Sequence, residues 1–453
     1  MTGLFIKKPS DLMYSNRELR NLFIPLLIEL ALAFSVGLAD SMMVAQVSED
    51  AVSGVSLVDF IMALFINVFS AVAGGGAVVV GQYYGMKDFK DAQHSARQLV
   101  RCVLALSLGI TVAVYALREP IFRVLFGSIT PEVRNAADIY FTIVIASIPS
   151  LALYNCGAAV FRTMGNARLP MLSMFSMNVL NVVGNAFLVF VLGWGVEGIA
   201  IPTFIARTGA AVIVLTLARR KSLDIHIRGW LTAKNDYKMM RRILGIGAPF
   251  GFENGMFYLG RLAVLSIVAK FGTAAIAANA VAGSISIFQT LPGAAINLGL
   301  SVVIARCIGA RDKEQARYYA KKIIGMIHVA FLCSCAVVAL AMPLLMRIYS
   351  LSPEAEYMVW WVIITHGAFQ ILIWPEAFSL PVVFRGAGDA KYPMVVAILI
   401  MIFARIIAAW FLSVTFGLGM LGTWWAMYID WAARLCFFIP HYLRGGWLEH
   451  RAI

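Results

Sequence analysis

Two stretches decide how this chain folds: Val160-Phe161-Arg162-Thr163-Met164-Gly165-Asn166-Ala167-Arg168-Leu169-Pro170-Met171 and Val383-Phe384-Arg385-Gly386-Ala387-Gly388-Asp389-Ala390-Lys391-Tyr392-Pro393-Met394. They align at an offset of 223 residues, and other landmarks recur at 224. Pro25-x-x-x-Glu29 returns as Pro249-x-x-x-Glu253. The loop from Gly85 through Lys87-Asp88 to Ala92 returns as Gly309, Arg311-Asp312 and Ala316. Ordered landmarks at one long offset mark an internal duplication, so each half is expected to be one structural unit.

The composition says what each half is made of. Of 453 residues, 61% are hydrophobic and 13% charged, against about 45–50% and 25% in a soluble domain. A helix needs about 20 apolar residues to cross a bilayer. Twelve such stretches occur, near 22 to 45, 52 to 82, 98 to 117, 136 to 160, 169 to 192, 197 to 218, 243 to 269, 275 to 305, 323 to 346, 357 to 383, 392 to 415 and 419 to 440. The second and eighth are long enough to require tilt, a kink or extension beyond the membrane. This excludes a soluble enzyme, a nucleic-acid binder and a disordered scaffold.

The formal charge of +13 tests that count, because cytoplasmic loops should hold the Lys and Arg. With the N-terminus inside, 28 of the 37 basic residues fall on the cytoplasmic side and five outside (Arg118, Arg123, Arg134, Lys270 and Arg347). Arg207, Arg261, Arg405 and Arg434 lie within spans. The expected fold is therefore an all-α polytopic membrane protein with twelve transmembrane helices. They form two parallel six-helix bundles with pseudo-two-fold symmetry along the membrane normal, since six spans return each half to the same side. Residues 1–21 form a cytoplasmic N-terminal segment, 22–218 the first bundle, 219–242 a cytoplasmic linker, 243–440 the second bundle and 441–453 a cytoplasmic tail. No cleavable signal is visible in Met1 to Asn21. Such duplicated architecture is typical of secondary transporters, with a cavity between two bundles that rock.

Several motifs are absent or misleading. Gly193-Trp194-Gly195-Val196-Glu197-Gly198 and Gly417-Leu418-Gly419-Met420-Leu421-Gly422 both fit GxGxxG. A dinucleotide fingerprint needs a preceding strand, whereas these read as twin turns between spans. No P-loop, HExxH or GxSxG occurs, so the chain is read as a non-enzyme that draws on an ion gradient. The cysteines (Cys102, Cys156, Cys307, Cys333, Cys335 and Cys436) have no metal-ligand spacing and read as buried thiols.

Ionisable groups at membrane depth are costly, which makes each a functional candidate. Six acids qualify: Glu29, Asp40, Asp59, Glu253, Glu376 and Asp430. Glu29 and Asp40 share a face of span 1, and the apolar setting of Asp40 suits it to take a proton or, with oxygen neighbours, Na⁺. Asn178, Asn181 and Asn185 align on one face of span 5, where carboxamides can donate to and accept from a carboxylate. Asn67 and Arg207 join this proposed cation-coupling group. The second half mixes signs. Glu253, Glu376, Arg261 and Arg405 are candidates for a substrate or second ion site, and Asp430 with Arg434 reads as a structural i,i+4 pair. His328 and His366 read as satisfied polar contacts.

Together these residues resemble the multidrug and toxic compound extrusion (MATE) family. The resemblance rests on Gly37-Leu38-Ala39-Asp40-Ser41-Met42-Met43-Val44 leading to Ala51-Val52-Ser53-Gly54-Val55-Ser56, on Gly81-Gln82-Tyr83-Tyr84-Gly85, on Phe161 to Asn166, and on Asn178 to Asn185 followed by Gly198-Ile199-Ala200. It implies a cation-coupled (H⁺ or Na⁺) antiporter exporting amphipathic, often cationic organic compounds by alternating access. Asp40 matches the family's span 1 aspartate, and Asn181 and Asn185 match its span 5 polar partners. Many relatives carry an acid at the latter position, so this chain has less negative charge there. The expectation is a multi-pass monomer of the plasma (inner) membrane with both termini cytoplasmic. It would carry a small organic substrate and bind no nucleic acid. It would need no cofactor beyond the coupling ion, and no metal beyond Na⁺ near Asp40. Flipping of a lipid-linked precursor, which related folds perform, is the alternative that Arg261 and Arg405 support.

Overall fold

The computed structural model describes residues 11–126 and 129–453, and among these every regular element is helical. Lys7 and Lys8, two of the basic residues expected inside, lie outside the described residues. The chain divides into two compact units, Asn16–Gly251 and Phe252–Ile453, the latter joined by the described part of Met1–Ser15.

In the first unit, α1 (Asn16–Val44), α2 (Glu49–Gly85) and α3 (Phe89–Ala116) are followed by the short α4 (Arg118–Phe126). The broken pair α5 (Pro131–Ile145) and α6 (Ile148–Thr163) comes next, then α7 (Arg168–Ala186) and α8 (Glu197–Ala218). Helix α1 packs on α7, while α2 packs on α3, α5 and α6. Small residues permit this closeness: a Cβ on Gly54 of α2 would lie 2.7 Å from the backbone N of Ala137 on α5. Helix α9 (Tyr237–Val268) contains the division between the units.

The second unit continues with α10 (Thr273–Gly309), α11 (Lys313–Tyr349), the broken pair α12 (Pro353–Leu372) and α13 (Trp374–Ala387), α14 (Lys391–Ile400), the three-residue α15 (Ala408–Trp410) and α16 (Gly419–Arg444). Its N-terminal strap is held by Tyr14, whose backbone N–H donates to Tyr319 Oη at 2.8 Å and whose hydroxyl accepts from Arg306 at 2.8 Å.

All twelve expected spans fall on helix. Eight helices are long and apolar enough to cross a membrane, and two further spans are pairs bent by 45° (α5 and α6) and 48° (α12 and α13). The other two spans lie on α9 and α16, whose charges at Glu253, Arg261, Asp430 and Arg434 and whose Trp and Tyr residues lower their apolarity. Both breaks place a proline, Pro149 or Pro375, in the first turn of the following helix, where its missing N–H costs nothing.

The duplication is visible in backbone detail. Lys87 and Arg311 both take left-handed φ, 62° and 59°. Asp88 and Asp312 then cap the next helices by accepting from Asp91 and Gln315 backbone N–H groups at 3.1 and 2.9 Å. Helix α7 ends in a π-turn, Phe187–Val191, and its counterpart Phe411–Thr415 is also π. Gly193 and Gly417 follow with φ of 67° and 70°, which any Cβ would strain. The two GxGxxG segments are therefore twin turns, as their spacing between spans indicates. One feature has no twin among the described residues: Met401–Ile407 forms a second π stretch, whereas its counterpart lies in regular α7.

The connection from residue 219 to 236 lies against α3. Arg101 donates to the carbonyls of Trp230 and Leu231 at 2.9 and 2.8 Å, and His94 meets Asp236 at 3.0 Å. One expectation is corrected. Cys333 and Cys436 are exposed, unlike the other four thiols, because their helices turn those faces outward from the unit.

Candidate functional site

The first unit gathers five elements around Asp40. Helix α1 carries Asp40, α2 carries Asp59 and Asn67, α5 carries Tyr140, α7 the three asparagines, and α8 Thr203 and Arg207. Asn185 Nδ2 donates to Asp40 Oδ1 at 2.6 Å and reaches Asn181 Oδ1 at 3.4 Å. Asn181 Nδ2 donates to Thr203 Oγ1 at 2.9 Å, and that hydroxyl donates to the Ile199 carbonyl at 2.8 Å. A continuous chain thus runs from a carboxylate through two amides to a hydroxyl. Its amides are almost wholly buried, Asn185 entirely so. Asn178, one turn earlier, donates to the Leu32 carbonyl at 2.7 Å and so ties α7 to α1.

Asp59 accepts from Tyr140 Oη at 3.1 Å, and both Asp59 and Arg207 act electrostatically on Asp40. Arg207 donates to Ser147 Oγ at 2.9 Å. Ser147 sits at the break between α5 and α6, where helix ends leave backbone groups and side chains available. Asn67 donates to Ala63 O in its own helix at 2.8 Å. The expected group of Asp40, Asn181, Asn185 and Arg207 is thus brought together, with Asn178 at its edge. Thr203, Tyr140 and Ser147 complete it. Nothing in the sequence marks them, since hydroxyls in apolar helices carry no periodic signal.

Two buried oxygens in the group accept no hydrogen bond: Asn178 Oδ1 and Asn185 Oδ1. Among the described residues, no three His, Cys, Asp or Glu side chains are placed to hold a metal ion. Asp40 is met by an amide N–H rather than by the oxygen ligands a hard cation takes.

The other acidic candidates have basic partners. Glu29 pairs with Arg162 at 2.5 Å and accepts from Tyr154 at 3.1 Å. Glu253 pairs with Arg385 at 2.9 Å. These are the same pair in both units, and each member stands inside a segment that repeats. A repeated acid and a repeated base were the available signal for the pairing. Asp430 and Arg434 pair at 3.2 Å as their spacing indicates. His366 Nδ1 lies 2.7 Å from Gln289 Oε1 with its ring against Trp424 and Trp431. His328 lies 2.9 Å from Glu376 and 2.6 Å from the Ile371 carbonyl, just before the break between α12 and α13. Among the described residues, Arg405 and Arg261 make no ion pair with a carboxylate.

Comparison with known proteins agrees with this architecture. The MatE family model matches residues 25–187 and again residues 249–411, at the 224-residue offset of the duplication. The uncharacterized transporter YisQ of Bacillus subtilis is 26% identical over 95% of this chain and 96% of its own length. The probable multidrug resistance protein NorM of Thermotoga maritima is 23% identical over 96% of this chain and 94% of its own. Among solved structures, a MATE transporter in its bent conformation shares the fold with a TM-score of 0.87 at 19% identity, covering 96% of each chain. This multi-pass, two-lobed helical membrane protein belongs to the MatE family.

Proposed function

We propose that the chain is a cation-coupled antiporter that exports amphipathic organic compounds by alternating access, with the coupling site at Asp40 and H⁺ as the ion. The observation that carries this reading is the hydrogen-bonded chain from Asp40 through Asn185 and Asn181 to Thr203. In its present orientation Asn185 gives an N–H to Asp40, which suits a carboxylate. A protonated Asp40 is a donor and needs an acceptor. Turning the Asn185 and Asn181 amides exchanges their N and O atoms, so each link reverses and the Thr203 hydroxyl swings to donate to Asn181. One proton on α1 is thereby read out on α7 and α8. Na⁺ would need the amide oxygens of Asn178 and Asn185 turned toward Asp40, and it is the second coupling ion to test.

The export direction and drug-like cargo draw on the Thermotoga maritima relative, which is named a probable multidrug resistance protein. The plasma membrane, cytoplasmic termini and monomeric state belong to the same proposal, and the distribution of Lys and Arg supports the placing of the termini. The division into bundles at 22–218 and 243–440 is part of the same proposal. The test is efflux of a fluorescent cationic dye from vesicles with H⁺ and Na⁺ gradients imposed separately. A proton gradient alone should drive efflux, and dye movement indifferent to both gradients would sink the reading.

A further inference from the structure

We propose that Arg405, with Arg261 nearby, forms an anion-binding subsite in the second unit that takes the carboxylate or phosphate of an amphipathic substrate. Three observations converge on it. First, Arg405 is 92% buried on the basis of its 8% exposure, and its Nε makes no hydrogen bond. A buried arginine is ordinarily paired, because an unpaired buried charge is costly. Second, the local charges do not balance. Asp430, Arg434 and Arg261 all act electrostatically on Arg405, and the single acid among them is already bonded to Arg434. Glu253 and Glu376 are likewise committed, to Arg385 and His328. Two positive charges are left without a carboxylate, which is the complement of an anionic group.

Third, Arg405 lies in the π stretch Met401–Ile407, the one place where span 11 departs from its repeat partner α7. π-turns are costly and concentrate at functional sites. The corresponding position in the first unit holds Asn181, a neutral member of the proton chain. One repeat thus keeps a carboxylate with amides, and the other a guanidinium whose buried Nε has no partner. Tyr428 acts on Arg405 from α16, whose buried Trp424 and Trp431 pack against His366, so the guanidinium stands among aromatic walls. The inference rests on the export reading only for the identity of the cargo.

The test reads binding to the purified full-length protein, so a failure of ion coupling leaves it standing. Fluorescence anisotropy compares tetramethylrhodamine free acid, which carries a carboxylate, with its methyl ester, which does not. The wild type should bind the acid about tenfold more tightly than the ester, the scale of one charge-assisted hydrogen bond. Arg405→Gln should erase that preference, Arg405→Lys should keep most of it, and Arg261→Gln should weaken it. Ester binding should be retained throughout, tightening if anything where a positive charge is removed, which shows that the variants are folded. Displacement by phosphatidic acid but not by diacylglycerol would place a lipid phosphate on Arg405, and displacement by neither would leave it to a soluble carboxylate. Equal affinities for acid and ester in the wild type, or an acid preference that survives Arg405→Gln, would overturn the proposal.

Discussion

A single donor atom, Asn185 Nδ2, joins Asp40 to the amides of α7, and the predictions at residue scale follow from it. Asp40→Asn should retain dye binding and lose gradient-driven efflux, measured in the same vesicles; wild-type turnover in that variant would remove Asp40 from the mechanism. Thr203→Val removes the far end of the chain without touching Asp40. Interhelical bonds in membranes average about 0.6 kcal/mol, so the protein should fold. Its efflux should nevertheless lose its dependence on pH. Thr208→Val is the control, because Thr208 bonds Ser150 at 3.1 Å outside the chain; if both variants behave alike, the relay is wrong. The asparagine row was legible because helical spacing puts positions 178, 181 and 185 on one face. Thr203 was not, because a hydroxyl that caps its own helix carbonyl looks the same in sequence as one that serves a site.

At the scale of elements, the paired Glu29–Arg162 and Glu253–Arg385 contacts read as fasteners of each unit. Removing one partner leaves the other charge buried, so Glu29→Gln and Glu253→Gln should each destabilise by about 3–5 kcal/mol, seen as a lower melting temperature in detergent. Equal loss in the two variants is expected from the duplication. Sequence reading placed both acids among functional candidates because it weighed them singly; the bases that answer them stand more than 130 residues away. The connection after α8 gives a pH prediction. The Met239 backbone N–H, then His94, holds the Asp236 carboxyl below its ordinary value. A lowered folded-state value means its contribution is present above the ordinary carboxylate range, near pH 4, and is lost on acidification below it. Limited proteolysis within 219–236 should therefore accelerate only below about pH 4, and an onset well above that would show that Asp236 does not hold the connection.

At the scale of the whole molecule, the twelve helices and the duplication were legible because hydropathy and long-offset identity are strong signals. The breaks in spans 4 and 10 were not, since a proline inside a span does not by itself mark a break: Pro202 in α8 and Pro292 in α10 stand within unbroken helices. The proposed topology is open to a direct check in a Cys333→Ala, Cys436→Ala background. A cysteine at Lys221 should react with a membrane-impermeant maleimide only after permeabilisation, and cysteines at Glu132 and Glu354 should react in intact cells. The π stretch around Arg405 carries one further consequence, in register. The repeats run 223 residues apart at Met171 and Met394 but 224 apart at Phe187 and Phe411. Span 11 therefore holds one residue more than span 5 between these landmarks, and the wider π ring is where that residue is lodged. Shortening Met401–Ile407 by one residue should bring span 11 to the pattern of span 5, turning position 405 by roughly a hundred degrees about the helix axis. The carboxylate preference would then vanish without any change of side-chain chemistry, so that one residue of length, rather than the guanidinium alone, sets the two halves apart.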